Sequence, residues 1–359
     1  MNILITSAGR RGYIIEYFKE ALSGKGKVYA ANSNVFSPAF YYADEHVVTP
    51  LIYDDEYIPF LLEFCKNNNI KMIISLFDID LLVLAENKEL FAQKGILVVV
   101  SSESVIRICN DKWNTYQFCK RNGLSTPQTF LDIDQVEAAV KNGCMRYPVI
   151  IKPRWGMGSL AVYQAFDEIE AKVLIANCKR DIQNSYLKYE AAFDLEKCVV
   201  IQEKLQGQEY GMDIIHDLDG NFCCNIVRKK YAMRGGETDC AAVEKNQKMN
   251  LFAERLGKAL GHIGNLDVDL FIVGHKIYLL EMNARLGGGY PFSHLAGINY
   301  PKALIKWAKG EQADSEFVVK RYNQIIQKDI QFVDLSSIAG GGTDGDGSKN
   351  QEDTILSDS

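Results

Sequence analysis

The sequence predicts an α/β protein of two or three domains, on three observations. Short apolar, strand-like runs alternate with helical patterns over residues 1–105. Near residue 280 an apolar/polar alternation of period two marks a half-buried strand that follows another across a tight turn. The chain has 359 residues, 47% hydrophobic and 24% charged, which is enough for more than one core.

Taken in order, Ile3-Leu4-Ile5 reads as a buried strand and Tyr13–Leu22 as a helix. Val28–Ala31, Met72–Ser75 and Ile96–Val100 are further strands, with helices over Tyr57–Asn67 and Asp80–Phe91 between them. Strands alternating with helices imply a parallel sheet covered on both faces, so the first 105 residues read as a Rossmann-like domain. Its first βα turn, Gly9-Arg10-Arg11-Gly12, does not match the dinucleotide pattern G-x-G-x-x-G. Ordinary turn glycines are the favoured reading. Backbone donors with two arginines would also suit a carboxylate or phosphate. Phe77-Asp78-Ile79-Asp80 follows a strand, where α/β sheets place ligands, but helix capping by Asp78 or Asp80 is the favoured reading.

Asn110 or Asp111 caps a helix that carries Lys112 and stops at Gly123. The strand Tyr147–Pro153, with Lys152, leads into a Gly/Ser loop, Arg154-Trp155-Gly156-Met157-Gly158-Ser159. Such a loop lets backbone N–H groups approach phosphate oxygens, and it also suits a plain hairpin turn. Residues 167–197 read as helical, without identifiable chemistry. The strand Val199–Leu205 enters a glycine-bounded acidic segment holding Glu209 and Asp213. A strand over Phe222–Arg228 ends in Arg228-Lys229-Lys230, followed by Met233-Arg234-Gly235-Gly236, and Met249–Leu260 is a helix. Basic residues beside paired glycines suit an anion, and equally a solvated face.

Leu266–Val273 turns through Gly274-His275-Lys276 into a strand holding Glu281, Asn283 and Arg285 on one face and Leu280, Met282 and Ala284 on the other. A three-residue turn centred on His275 sets Asp269 opposite Glu281, whereas a two-residue turn would place Val268 there. The polar face has two readings. It is an amphipathic edge with a Glu–Arg pair, or a set of oxygen ligands for a hard cation with a guanidinium for phosphoryl oxygens. His46, His216 and His262 read as surface or structural, His275 as a turn residue, and His294 as a possible neighbour of substrate. Residues 311–335 read as a terminal strand extension and 336–359 as a disordered acidic, Gly-rich tail. The tail's Asp344-Gly345-Asp346-Gly347 fails as a calcium loop because Ile355 stands where the bidentate Glu is needed.

Net charge is −6 and the sequence pI about 5.5, which argues against a nucleic-acid surface. Nine cysteines without C-x-x-C spacing fit reduced thiols, with neither a disulfide framework nor a zinc site. The N-terminus lacks a signal-peptide pattern and no run is long and apolar enough to span a membrane, so a cytoplasmic protein is expected.

Together these pieces resemble the ATP-grasp superfamily, and more narrowly the synthetase half of carbamoyl-phosphate synthase and its single-unit relatives, over about residues 1–310. The pieces are Asp111-Lys112; Ile151-Lys152-Pro153 before Gly156, Gly158 and Ser159; Gln202-Glu203-Lys204-Leu205 with Glu209 and Asp213; Asp269; and Glu281-x-Asn283-x-Arg285. The resemblance implies a Rossmann-like pre-ATP-grasp domain (1–108) and a two-subdomain ATP-grasp domain (109–310), with a lid at 125–205 and a catalytic subdomain at 206–310.

By the same resemblance, Lys112 and Lys152 would neutralise ATP phosphates under the Gly156–Ser159 loop. Glu203, with the backbone of Lys204 and Leu205, would hold adenine; Glu209 would hold the ribose, with Asp213 in the same nucleotide site. Asp269, Glu281 and Asn283 would bind Mg²⁺ (or Mn²⁺), and Arg285 would brace the transferred phosphoryl group. Lys229 and Arg234 would sit near the γ-phosphate or the substrate carboxylate. The first metal ligand departs from the family, an Asp where Glu or Gln is common, and Asp267 is its alternative. The implied activity is ADP-forming ligation of a small carboxylate to an amine or thiol through an acyl phosphate, in a possible homodimer. A carboxyphosphate- or carbamate-forming relative, a nicotinamide-dependent oxidoreductase and a non-catalytic nucleotide-binding module are the alternatives.

Overall fold

The computed structural model describes residues 1–339. Five parallel strands, β1 (Asn2–Thr6), β2 (Val28–Asn32), β3 (Glu45–Val48), β4 (Ile70–Ser75) and β5 (Leu97–Val98), form the first sheet in the order β3-β2-β1-β4-β5. Ile3, Leu4 and Ile5 are all fully buried, as a strand with helices over both faces requires. The helix expected over Tyr57–Asn67 has those bounds. The one expected over Asp80–Phe91 is two, Asp78–Glu86 and Lys88–Ala92, broken at Asn87. The apolar run Ile96–Val100 keeps only two residues of strand. Gly12 is fixed by packing, because the Tyr42 ring fills the space a Cβ would take.

The second sheet is antiparallel and four-stranded: β6 (Thr129–Phe130), β7 (Val149–Pro153), β8 (Tyr163–Ala165) and β9 (Val199–Glu203), in the order β6-β9-β7-β8. With the helix Glu168–Gln183 it encloses a core of its own around Val149, Ile151, Ala171 and Cys178. The third sheet holds β10 (Gln208–His216), β11 (Phe222–Arg234), β12 (Glu237–Glu244), β13 (Gly264–Val273), β14 (Lys276–Asn283) and β15 (Ile325–Gln327), in the order β14-β13-β10-β11-β12-β15. A second continuous core joins Leu4 and Ile73 of the first sheet to Leu266, Leu279 and Met282 of the third.

The β13–β14 register reaches the expected pairing by an unexpected route. Val273 pairs with Lys276, so the turn has two residues, with Gly274 at φ +61°. That turn alone would put Val268 opposite Glu281. A bulge corrects it: Leu270 pairs with Leu279 and Asp269 with Glu281, leaving Leu280 as the extra residue. Leu279, not Leu280, therefore enters the core beside Met282.

β11 runs six residues beyond the expected end at Arg228. In the terminal extension β15 pairs with β12, after the 3₁₀ turn Asp314–Phe317. Ser336–Ala339 is a short helix where disorder was expected; the rest of the expected tail, with its calcium-loop-like run, lies outside the described residues. Among the described residues no helix is long and apolar enough to cross a membrane.

Candidate active site

One face of the third sheet carries most of the polar side chains. Asp269 stands across from both Gly211 and Glu281, Asp267 across from Asp213 and Asn283, and Arg228 across from Gly211. Directly paired residues share a face, so these groups converge. Gly211 makes the crowding possible: Arg228 and Lys230 lie 3.2–3.3 Å from where its Cβ would be.

Above this face sit two lysines from other elements. Asp111 caps the helix Lys112–Arg121, accepting from the backbone N–H of Trp113 and Asn114, and takes a bidentate pair from Arg154 (2.8–3.0 Å). That double use locks the helix start to the Gly/Ser loop, and Lys112 Nζ then donates to the Gly156 carbonyl at 2.6 Å. Lys152, on β7, is buried and among the described residues has no ion-pair partner within 4 Å. Burial pulls its pKa down to about 8; Glu281 and Asp269 act to raise it and Lys112 to lower it further. Lys152 thus feels the charges of Lys112, Glu281 and Asp269.

The loop over them relies on its glycines. Gly156 has φ +107° with Leu187 at 2.6 Å from any Cβ, and Gly158 and Ser159 also have positive φ. The backbone of Gly158 presses on Gly236 in the β11–β12 turn. A narrow cleft remains between Trp155, Gly156 and Met157 on one side and Glu281 and Asn283 on the other.

Arg285 is buried and donates through Nε and Nη2 to Asp78 Oδ2 at 2.8 and 2.5 Å. Asp78 therefore does not cap its helix, nor does Asp80, which accepts from Thr6, Ser75, Tyr57 and Ser7. The guanidinium just beyond β14 is thus held by the first domain. The run Gly287-Gly288-Gly289 is equally constrained. A Cβ at Gly287 would collide with the Asp267 carboxylate, at Gly288 with Glu237 (2.8 Å), and at Gly289 with Arg228 (2.8 Å).

The remaining expected residues are placed as follows. Glu203 Oε2 accepts from the Gln128 N–H at 3.1 Å at the end of β9, Lys204 is exposed with Nζ on Gln164 Oε1, and Leu205 is half-buried. Glu209 pairs with Lys230 at 2.7 Å. Asp213 is fully buried beneath the site, bonded to Arg228, Ser293 and Asn265, a structural network rather than an open nucleotide surface. Lys229 lies on the opposite face of β11, over the Tyr231 ring. Arg234 is exposed and pairs with Asp239 at 3.1 Å. The cation that reaches the site is instead Lys230, bridging Glu209 and Asp269 at 2.7 and 2.6 Å. Burial alone would lower its pKa; the two carboxylates hold it above its ordinary value.

Asp267 is engaged by Arg228 at 2.9 Å, and burial pushes its carboxyl upward against that pull. Arg11 crosses the first βα turn to the Leu76 carbonyl and Glu237. Glu237 is partly exposed; desolvation would raise its carboxyl, but Arg11 and Lys328 hold it down to about 2. His294 stacks on Tyr17 at 3.7 Å and meets the Tyr290 hydroxyl, a packing role.

The donor set fits a small hard cation. Among the described residues no three His, Cys, Asp or Glu are gathered into a ready cage. Mg²⁺ characteristically takes one or two carboxylates and completes its shell with phosphate oxygens and water, which Asp269 and Glu281 with Asn283 can accommodate.

Comparisons with known proteins bear on the domains and the fold. Residues 3–99 match the family model described as PylC-like, N-terminal domain, and residues 196–331 the model described as ATP-grasp in the biosynthetic pathway with Ter operon. The carbamoyl phosphate synthase large chain of Pseudothermotoga lettingae is 23% identical over 230 residues, 61% of this chain and 20% of that one. The chain spans about a third or less of the length of such curated relatives. The biotin carboxylase–β,γ-ATP complex from Campylobacter jejuni has a TM-score of 0.68 at 20% identity, covering 88% of this chain and 72% of that one. The L-amino acid ligase from Bacillus licheniformis gives 0.67 at 20%, covering 90% and 79%. At these identities the structural likeness is one of fold.

Proposed function

We propose that this chain, an ATP-grasp protein by fold and by its family matches, is an ATP- and Mg²⁺-dependent ligase that activates a small carboxylate as an acyl phosphate and joins it to an amine. The observation that carries the reading is the buried Lys152, on the strand that leads into the glycine loop, whose Gly156 carbonyl holds Lys112 and which lines a cleft with Glu281 and Asn283. A buried ammonium without a paired carboxylate is costly unless an anionic ligand completes its surroundings.

In this reading Lys112 and Lys152 neutralise the phosphates and the Gly156–Ser159 backbone covers them. Glu203, the backbone of Lys204 and Leu205, and Glu209 face the nucleoside. A divalent cation held by Asp269, Glu281 and Asn283 would screen the β- and γ-phosphates. Arg285, fixed by Asp78, meets the transferred phosphoryl oxygens, and Lys230 takes the position for which Lys229 and Arg234 were expected. Phosphoryl transfer needs this positioning and charge neutralisation rather than a protein nucleophile. Closure of the loop excludes water from the acyl phosphate.

The test is ADP formation from ATP and Mg²⁺ with arrays of carboxylates and amines, bicarbonate included because of the synthase relatives. ADP release that needs both co-substrates supports the ligase; nicotinamide turnover without ATP use overturns it.

A further inference from the structure

The cleft wall contributed by the first domain has oxygen acceptors with nothing to accept. Asp78 is 5% exposed; its Oδ2 is taken by Arg285, while its Oδ1 is buried without a partner. Beside it, Asn110 donates Nδ2 to the Asp78 carbonyl at 2.7 Å, and its own buried Oδ1 has no partner either. Both residues line the cleft with Gly156, Glu190, Glu281 and Asn283. Buried acceptors left empty cost free energy, so a pair of them on two residues that line one cleft implies a ligand that brings N–H or O–H donors.

We infer that Asp78 and Asn110 form the subsite for the nitrogen of the amine co-substrate, a primary amine entering as its cation or free base. This rests on the ligase reading only for the word co-substrate; the subsite itself rests on the two orphaned oxygens. Asp78, Asn110 and Glu190 offer this end of the cleft oxygen acceptors, which attract an ammonium. The Arg285 guanidinium beside them is already bound by Asp78 Oδ2. Because Oδ2 of the same carboxylate holds Arg285, a nitrogen on Oδ1 lies next to the guanidinium that meets the phosphoryl group, which is where an amine must wait to attack an acyl phosphate.

The test uses the full chain with Mg²⁺ and a non-hydrolysable ATP analogue, and again without nucleotide, at constant ionic strength. Methylammonium and tetramethylammonium chloride are titrated and the shift in unfolding temperature is read. Methylammonium carries three N–H donors and tetramethylammonium none, so only the first is expected to stabilise. Asn110→Leu, which leaves the Asp78–Arg285 pair intact, should raise the half-saturating methylammonium concentration roughly tenfold or more, and Asp78→Asn at least as much. Equal responses to the two salts, or an undiminished methylammonium response in both variants, would overturn the subsite. So would a Mg²⁺ response abolished by Asn110→Leu, which would reassign these oxygens to a metal. Failure of the analogue to bind would count against the ligase reading alone, since the nucleotide-free comparison decides the subsite by itself.

Discussion

Replacing Lys152 with Met should make the protein more stable and its nucleotide site worse. In the unfolded chain this lysine holds its proton up to its ordinary value of 10.5; in the folded protein burial brings that down to about 8. Each factor of ten in proton affinity corresponds to about 1.4 kcal/mol, so keeping the charged lysine in place below pH 8 costs the fold roughly 3 kcal/mol. The sign follows from proton counting. Between pH 8 and 10.5 the unfolded state binds more protons than the folded one, so raising the pH recovers stability; below pH 8 both states are protonated and the full cost remains. Methionine keeps the aliphatic packing and has no charge to bury. Lys152→Met should therefore exceed wild type by roughly 1–3 kcal/mol at pH 7 and lose that advantage by pH 10.5, as read by urea unfolding at the two pH values. Nucleotide affinity, measured by titrating a non-hydrolysable ATP analogue, should fall roughly ten- to a hundredfold through loss of a charge-assisted hydrogen bond. A variant less stable than wild type at pH 7, or a difference that does not change between pH 8 and 10.5, would refute the reasoning.

Three further outcomes are expected. Glu281→Ala should keep its fold, by circular dichroism and unfolding temperature, while Mg²⁺-dependent ADP formation drops roughly a hundredfold or more; full activity would remove Glu281 from the metal site. Gly287→Ala drives a methyl group into the Asp267 carboxylate and should cost roughly 1–3 kcal/mol by chemical unfolding, with an unchanged midpoint as the contrary result. Asp111→Ala loses a helix cap and leaves the mostly buried Arg154 without its bidentate partner, for roughly 2–4 kcal/mol together; Asp111→Asn, which still caps, should recover about half.

Much of this site is visible from local chemistry. Asn110 or Asp111 reads as a cap because such a side chain before a helix accepts backbone N–H groups, and the structure uses Asp111 that way. The Gly156–Ser159 loop reads as special because glycines there permit positive φ, which Gly156 and Gly158 adopt. What local chemistry does not show is which distant group answers each charge. Asp78 follows a strand and opens a helix, so capping is the simplest sequence reading; only the packing of the first sheet against the third brings Arg285, more than two hundred residues away, to its carboxylate. The same holds for Glu237, held between Arg11 of the first turn and Lys328 of the terminal extension. Sequence spacing carries no trace of either pair.

Parity accounts for the remaining discrepancies. In a strand one residue of offset moves a side chain to the other face. Arg228, Lys229 and Lys230 are three consecutive cations, and nothing in their composition says which belong to the site. The pairing of Tyr210 with Lys229 decides it: Arg228 and Lys230 face Asp267, Asp269 and Glu209, and Lys229 faces Tyr231. On β14 the same logic would have misplaced Glu281, because the turn is one residue shorter than the register needs. The bulge at Leu280 supplies the missing residue, so the two irregularities cancel between the turn and Glu281. The neighbouring core records the cost of that correction, since Leu279 and Met282, three residues apart, both point inward. Deleting Leu280 should therefore straighten the strand rather than break it. With the two-residue turn kept, Leu270 still pairs with Leu279, Asp269 with Glu281 and Val268 with Met282, so the unfolding temperature and Mg²⁺-dependent ADP formation should both survive the deletion; loss of either would show that the bulge itself is needed.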